Sequence, residues 1–264
     1  MKTFSKPSAA IKWTKERLQN FGYIVKTEKW QGIDSPDDMW ELMNHSFQFF
    51  IPETLDELRT EVRPNLPWAD DHFAERVSGI PLNPPPSHEW WPFAQKNNEQ
   101  FGGTKKFSHT YPERIWPKYK SVLPDGNILD DKQMEGIRFA YGDFNDVIDL
   151  MQREPFTRQA FLPIWFPEDT GTVHGERVPC TIGYHFMRRG QNLHIVYYIR
   201  SCDYIRHFRD DIYMACRKLM HILDELQNRD PKRWEHVKPG YFAMHITSLH
   251  CFNSEKGILN QSKY

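Results

Sequence analysis

Two stretches of alternating side chains, 180–188 and 192–199, are separated only by Arg189-Gly190-Gln191, and a long amphipathic segment, 209–227, follows them. Alternation at a period of two predicts strands, and a short link centred on Gly predicts a hairpin. In the following segment Ile212, Ala215, Leu219, Ile222, Leu223 and Leu226 recur at helical spacing. A helix that must bury this stripe next to a hairpin points to an α+β, mixed-sheet architecture. Strands and helices do not alternate regularly enough for a doubly wound nucleotide fold.

The remaining elements are read in the same way. A helix is expected over 8–20, with Ser8 as its cap and Phe21-Gly22 as its end. A strand is expected from Tyr23 to Trp30, and an interrupted helix over 36–60 with Pro52 as the break. Residues 69–77 read as a short helix stopped by Gly79. Asp130 or Asp131 is expected to cap a helix carrying Met134, Ile137, Tyr141, Phe144, Ile148 and Met151, ended by Pro155. Residues 158–166 read as a strand in which Pro163 implies an edge or a bulge, and Tyr241 to Phe252 as a last strand. At 264 residues the chain suits one domain: an N-terminal helix and strand portion (1–61), a Pro- and Trp-rich irregular segment (62–106), a core (107–252) and a polar, loose tail (253–264).

The formal net charge of −1 gives no general electrostatic case for a nucleic-acid or membrane partner. No apolar run reaches membrane-spanning length, and the first residues lack the apolar core of a signal peptide. The four cysteines show no CxxC spacing, so reduced thiols and a cytoplasmic location are expected. GxGxxG, P-loop, HExxH and GxSxG patterns do not occur.

Cys180 follows a Pro at the start of the first hairpin strand, and Arg200-Ser201 end the second. A lone Cys is most often a small buried hydrophobe. A tight hairpin, however, sets the start of one strand beside the end of the other. That would bring the Arg200 guanidinium to Cys180, where it favours a thiolate. Arg-Ser is also a phosphate-binding pair, a forked donor with a hydroxyl. The bland alternatives are a surface ion pair between Arg200 and Asp203, and Asp210-Asp211 serving only to cap the following helix.

Taken together, Pro179-Cys180, Arg200-Ser201-Cys202-Asp203 and Asp211 resemble the active-site core of the thymidylate synthase family. The resemblance covers scattered motifs over roughly residues 68–252, and it is nearest to the deoxycytidylate hydroxymethylase branch. In that branch Asp replaces the Asn with which thymidylate synthases read uracil. The resemblance implies a mixed β-sheet flanked by helices, and a homodimer packed sheet on sheet. It also implies folate-dependent one-carbon transfer to carbon 5 of a pyrimidine nucleoside monophosphate, with no metal. Cys180 is then the nucleophile and Asp211, or Asp210 after a one-residue slip, reads the base. Arg200, Ser201 and, across the dimer, Arg158 bind the phosphate. Gln159 stands where the family has a second Arg.

By the same resemblance Asp203 contacts the pterin and His250 holds the sugar, with Phe252 in place of a Tyr. Tyr111, in Thr110-Tyr111-Pro112-Glu113-Arg114, is the proton-relay tyrosine, and Thr181 replaces the His that usually follows the nucleophile. The general acid/base is Glu75, which stands at the family's spacing before Tyr111, or Glu89. The polar C-terminus differs from the apolar tail with which thymidylate synthases exclude water. The expected product is therefore hydroxymethyl-dCMP, formed with 5,10-methylenetetrahydrofolate in a bacterial or phage-infected cytosol. Methylation of dCMP, action on CMP, or nucleotide binding without turnover are the alternatives.

Overall fold

The structure is a computed structural model that describes residues 1–30, 33–93, 106–117, 142–172 and 177–261. In chain order the N-terminal part comprises β1 (Lys2–Phe4), α1 (Pro7–Phe21), β2 (Tyr23–Val25), a small ribbon of β3 (Lys29–Trp30) and β4 (Ile33–Asp34), and β5 (Met39–Phe50). Helices α2 (Leu55–Val62), α3 (Trp68–Arg76), α4 (Tyr111–Ile115) and α5 (Phe144–Arg153) follow. The rest is β6 (Phe161–Pro163), β7 (Thr181–Arg189), β8 (Asn192–Asp203), α6 (Phe208–Arg229), α7 (Pro231–Trp234) and β9 (Lys238–Phe252), closed by a 3-10 segment at Asn253–Asn260.

One mixed sheet runs β1-β5-β9-β8-β7-β6, with β2 beside β5. The β5–β9 and β7–β8 pairs are antiparallel, and β8–β9 is parallel. The hairpin turns where expected, with Gly190 at φ 59, a conformation that Gly adopts without a Cβ clash. Helix α6 lies over β8 and β9, and Ile212, Ala215, Leu219, Ile222 and Leu226 on its stripe are fully buried. Each large aliphatic buried in this way stabilises the fold by roughly 1.5–3 kcal/mol. Helix α1 covers β5, where Thr14 Oγ1 meets His45 Nε2 at 2.9 Å. The opposite face of the sheet carries Phe50 against Tyr241 (4.2 Å between ring centroids) and Tyr198 stacked on His245 (5.3 Å). No described helix is long and apolar enough to cross a membrane.

The three central strands change their inward-facing side at one common level. On β5 the residues buried against the helices are His45, Phe47 and Phe49, and then Leu42. On β9 they are Phe242, Met244 and Ile246, then Leu249 and Cys251; on β8, Ile195, Tyr197 and Ile199, then Cys202. Odd positions give way to even ones, or the reverse, where Met43 faces Ser248 and Ser248 faces Ser201. Asn44, next to this level on β5, has a φ of 51, one of two non-glycine residues described with positive φ. Beyond the switch, Glu41, Ser248, His250, Ser201 and Asp203 occupy the other parity.

This switch explains the main departure from expectation. Segment 36–60 is not an interrupted helix but strand β5 followed by the short helix α2. Met39, Leu42 and His45 are buried at intervals of three, which imitates a helical stripe. The Leu42-to-His45 step arises because the strand turns its other side inward midway, while Met39 lies on the side of Glu41 and is buried opposite Phe252; past the switch His45, Phe47 and Phe49 keep a period of two.

Other boundaries shift as well. Lys6, not Ser8, precedes α1, and no side chain caps it; Pro7 occupies the first turn, where its missing N–H costs nothing. The strand expected at 23–30 splits into β2 and β3. The one expected at 158–166 shrinks to an edge strand, as Pro163 requires. Helix α5 starts at its own cap, Asp143, which accepts from the backbone N–H of Asn145 and Asp146. It therefore does not run on from Asp130 or Asp131, which lie outside the described residues with Met134, Ile137 and Tyr141. The described part of the polar tail, 253–261, is docked, not loose: Leu259 is fully buried, and the Gln19 amide donates to its carbonyl at 3.1 Å.

Candidate functional site

The hairpin brings Cys180 and Arg200 together, since the Arg200 backbone N–H donates to the Cys180 carbonyl at 2.9 Å. The Arg200 guanidinium then turns back onto the same segment. Its Nε donates to the Pro179 carbonyl (2.9 Å) and its Nη2 to the Val178 carbonyl (3.2 Å), above the Trp165 ring. The surface ion pair with Asp203 is therefore not formed. Cys180 is a partly buried free thiol. Burial pushes its pKa up, and the Asp211 charge adds to this, while Arg200 and Arg177 pull the other way. It rests as a thiol with two guanidinium groups at hand to hold a thiolate when one forms.

Tyr111 opens α4, which is fixed by a capping box between Thr110 and Glu113. Thr181 Oγ1 donates to the Tyr111 hydroxyl at 3.1 Å and meets the Tyr197 hydroxyl at 2.8 Å. A chain of three hydroxyls thus starts one residue after Cys180. The Arg76 guanidinium lies 4.2 Å from the centre of the Tyr111 ring. Burial, with Cys180 and Asp211 nearby, keeps the phenol protonated far above neutrality.

Asp210 and Asp211, both in the first turn of α6, have different surroundings, and neither is the cap, which is His207. Asp210 is spent on structure: it accepts from the Asn65 backbone N–H (2.8 Å) and side-chain amide (2.7 Å). Asp211 faces the cluster. The Cys202 thiol approaches it at 3.8 Å, and its charge is felt by Cys180, Tyr111, Tyr184 and Tyr197. Burial raises its pKa to about 7, with Arg76 opposing and Asp210 adding to the rise. Of the two aspartates, Asp211 is the one placed beside the thiol.

Asp203 forms a corner. Its Oδ1 accepts from the Ile205 (2.9 Å) and Arg206 (3.0 Å) backbone N–H groups, and its Oδ2 pairs with the Arg206 guanidinium, which also grips Glu255 of the tail. His250 is opposite Asp203 in the sheet, and its Nδ1 is 3.2 Å from Ser248 Oγ. Ser201 pairs with Ser248 in the same register.

Glu75 on α3 accepts from the Ser87 backbone N–H (2.6 Å) and hydroxyl and from His72. Burial raises its pKa, but these bonds outweigh it and hold the carboxylate ionised. Glu89 is exposed on the 3-10 segment Pro86–Trp90. Arg158 is exposed on the loop after α5, with Gln159 also exposed beside it.

Three neighbours of the cluster carried no sequence signal of their own. Arg76 is almost completely buried, with its Nε unpartnered among the described residues. Arg177 acts on both Cys180 and Tyr111. Glu41 arrives from a strand over two hundred residues away from Ser248 in the chain. A charged residue next to Glu75 and another three before Cys180 could have been flagged by position, but Glu41 could not. Among the described residues no group of three or more His, Cys, Asp or Glu is arranged to hold a metal ion. Neither a protein-family model nor a curated protein matches this chain.

Proposed function

We propose that this chain is a folate-dependent one-carbon transferase that adds a hydroxymethyl group to carbon 5 of dCMP, working as a cytoplasmic homodimer. The observation that carries the reading is the pairing of a thiol, flanked by two guanidinium groups, with a neighbouring carboxyl whose pKa is raised to about 7. Cytosine presents an amine donor and a ring-nitrogen acceptor. A carboxyl that is half protonated near neutrality offers an acceptor and a donor to match them. Uracil presents the reverse pattern, a ring N–H donor beside a carbonyl acceptor, so the ionised form of the same carboxyl sets an oxygen against the carbonyl oxygen with no proton between them.

Cys180 adds to carbon 6 as the thiolate, and the electron pair displaced from the ring double bond makes carbon 5 nucleophilic. Arg200 and Arg177 favour the thiolate, and Asp211, protonated on the base side, spreads the charge that the addition creates. The Tyr111–Thr181–Tyr197 hydroxyl chain can move a proton at carbon 5. Methylenetetrahydrofolate supplies the one-carbon unit. For its pterin, Asp203 fits in part: three acceptor positions are taken by Ile205 and Arg206, and a lone pair on Oδ2 remains. A homodimer would cover the aromatic sheet face, where Phe50 is 48% exposed. Exposed Arg158 would then reach the partner's nucleotide.

A second reading, methylation of dCMP, gains support from the docked tail, because buried Leu259 places an apolar residue in the segment expected to be open to water. The test is a mass-spectrometric product assay with methylenetetrahydrofolate and dCMP, CMP or dUMP. Hydroxymethyl-dCMP with dUMP inert is the expected result. Methyl-dCMP selects the second reading. Turnover of dUMP alone, or tight nucleotide binding without turnover of any of the three, overturns both.

A further inference from the structure

The resemblance implies a sugar contact for His250 and gives Glu41 no role, yet the structure joins them through Ser248. Ser248 Oγ bonds to Glu41 Oε1 and also lies 3.2 Å from His250 Nδ1. The sheet register holds the three in place, because Glu41 on β5 faces His250 and Met43 faces Ser248 on β9. On the other side of β9, Ser201 and Asp203 of β8 occupy the same two rungs.

The proton count follows from the donors available. Ser248 Oγ donates to Glu41 Oε1, so the single hydroxyl proton of Ser248 is spent there. Toward His250, Ser248 then offers only a lone pair, and Nδ1 must donate. Burial keeps this imidazole neutral at pH 7, although Asp203 and Glu41 favour its charged form. A neutral ring with its proton on Nδ1 leaves Nε2 as a bare acceptor. No described residue bonds to Nε2.

We propose that Glu41 and Ser248 are positioning residues that fix the His250 proton on Nδ1, so that Nε2 recognises a ligand by a hydroxyl that donates to it. Building on the nucleotide reading above, that donor is the sugar hydroxyl of the nucleoside monophosphate, and the site selects for its presence. A ring with the opposite tautomer would present N–H and accept a ligand lacking a donor equally well.

The first test needs no substrate. Long-range proton–nitrogen correlation spectra of protein labelled with 15N-histidine report which ring nitrogen is protonated, with His250 assigned by the loss of its signals in His250→Gln. A protonated Nδ1 and bare Nε2 in the unaltered protein are expected; a protonated Nε2 overturns the proposal. Ser248→Ala should release the preference and Ser248→Thr should restore it.

The second test compares dCMP with its 2′,3′-dideoxy analogue by calorimetry. The loss of one hydrogen bond to a buried acceptor predicts about tenfold weaker binding of the analogue to the unaltered protein and to S248T. The two ligands should bind nearly equally to S248A. In turnover S248A should raise KM for dCMP more than it lowers kcat. Discrimination unchanged in S248A overturns the positioning role of Ser248, and equal binding of the two ligands to the unaltered protein overturns the sugar contact. If Nδ1 is protonated but neither nucleotide binds, the proton assignment survives and the nucleotide reading fails.

Discussion

Asp203 and Asp211 flank one turn, between β8 and α6, and the structure treats them in opposite ways. Asp203 has two backbone N–H donors and a guanidinium, which itself is shared with Glu255. Asp211 has burial and a nearby aspartate, opposed by the Arg76 charge, and its described donors are the Cys202 thiol at 3.8 Å and the Tyr197 hydroxyl, with no backbone N–H among them. A satisfied carboxylate holds a chain reversal in place; an under-satisfied one has reactivity to spare. The same contrast separates Asp210, bound by Asn65, from its neighbour in the sequence. The comparison teaches that motif position alone does not distinguish a structural acid from a reactive one. The count of donors around each carboxylate does.

The contrast can be broken most severely at Cys180, whose thiol feels the Asp211 charge. Cys180→Ser should lower product formation by at least about a thousandfold in the mass-spectrometric assay while leaving the melting temperature close to that of the parent. Residual activity within tenfold would remove Cys180 from the chemistry. Next in size, Asp211→Asn should shift the preference between dCMP and dUMP toward dUMP by about a hundredfold or more, read as the ratio of kcat/KM values. An unchanged ratio would mean that this side chain does not read the base.

Asp211 also sharpens the comparison without any substrate. Its folded pKa, about 7, lies above the ordinary value of 3.8, so its protonated form favours folding. That contribution is whole below pH 4 and is lost as the pH rises through 7, and it amounts to a few kcal/mol in order of magnitude. Melting temperature measured from pH 5 to 8 should therefore fall more steeply for the parent than for D211N, and parallel curves would contradict the raised pKa. Asp203→Ala acts in the opposite sense: it should cost about 2–3 kcal/mol of stability by urea unfolding, because two N–H groups lose their acceptor and Arg206 is left with Glu255 alone. Smallest of all, Thr181→Val should cost about 1 kcal/mol and slow turnover mildly by interrupting the hydroxyl chain, with binding of dCMP unchanged.

What could be read from the sequence follows the periodicity of each segment. The β7–β8 hairpin and α6 were legible because their buried residues keep one period over 192–199 of β8 and 212–226 of α6, and with them came the approach of Arg200 to Cys180. Strand β5 was not, since Met39, Leu42 and His45 carry a spurious helical interval across the change of inward side. The bond between Glu41 and Ser248 was hidden for a different reason: it depends on the pairing register of β5 with β9, which no local pattern encodes. Arg76 and Arg177 stand beside candidate residues in the sequence, but only packing decides whether an Arg faces solvent or a ring, so position alone did not make them cations of this cluster.

The shared change of inward side on β5, β9 and β8 acts as a phase boundary across the sheet. On one side, His45, Phe47, Phe49, Met244 and Tyr197 answer to the helices; on the other, Glu41, Ser248, His250, Ser201 and Asp203 do not. The two ends of the same strands are thereby free to diverge separately. The polar end can be rewritten for a new ligand without disturbing the apolar end, provided the three strands keep their boundary in step. A single-residue insertion on one strand at this level would put its two halves out of phase with both neighbours, so the level is the least tolerant place in the sheet for a change in length.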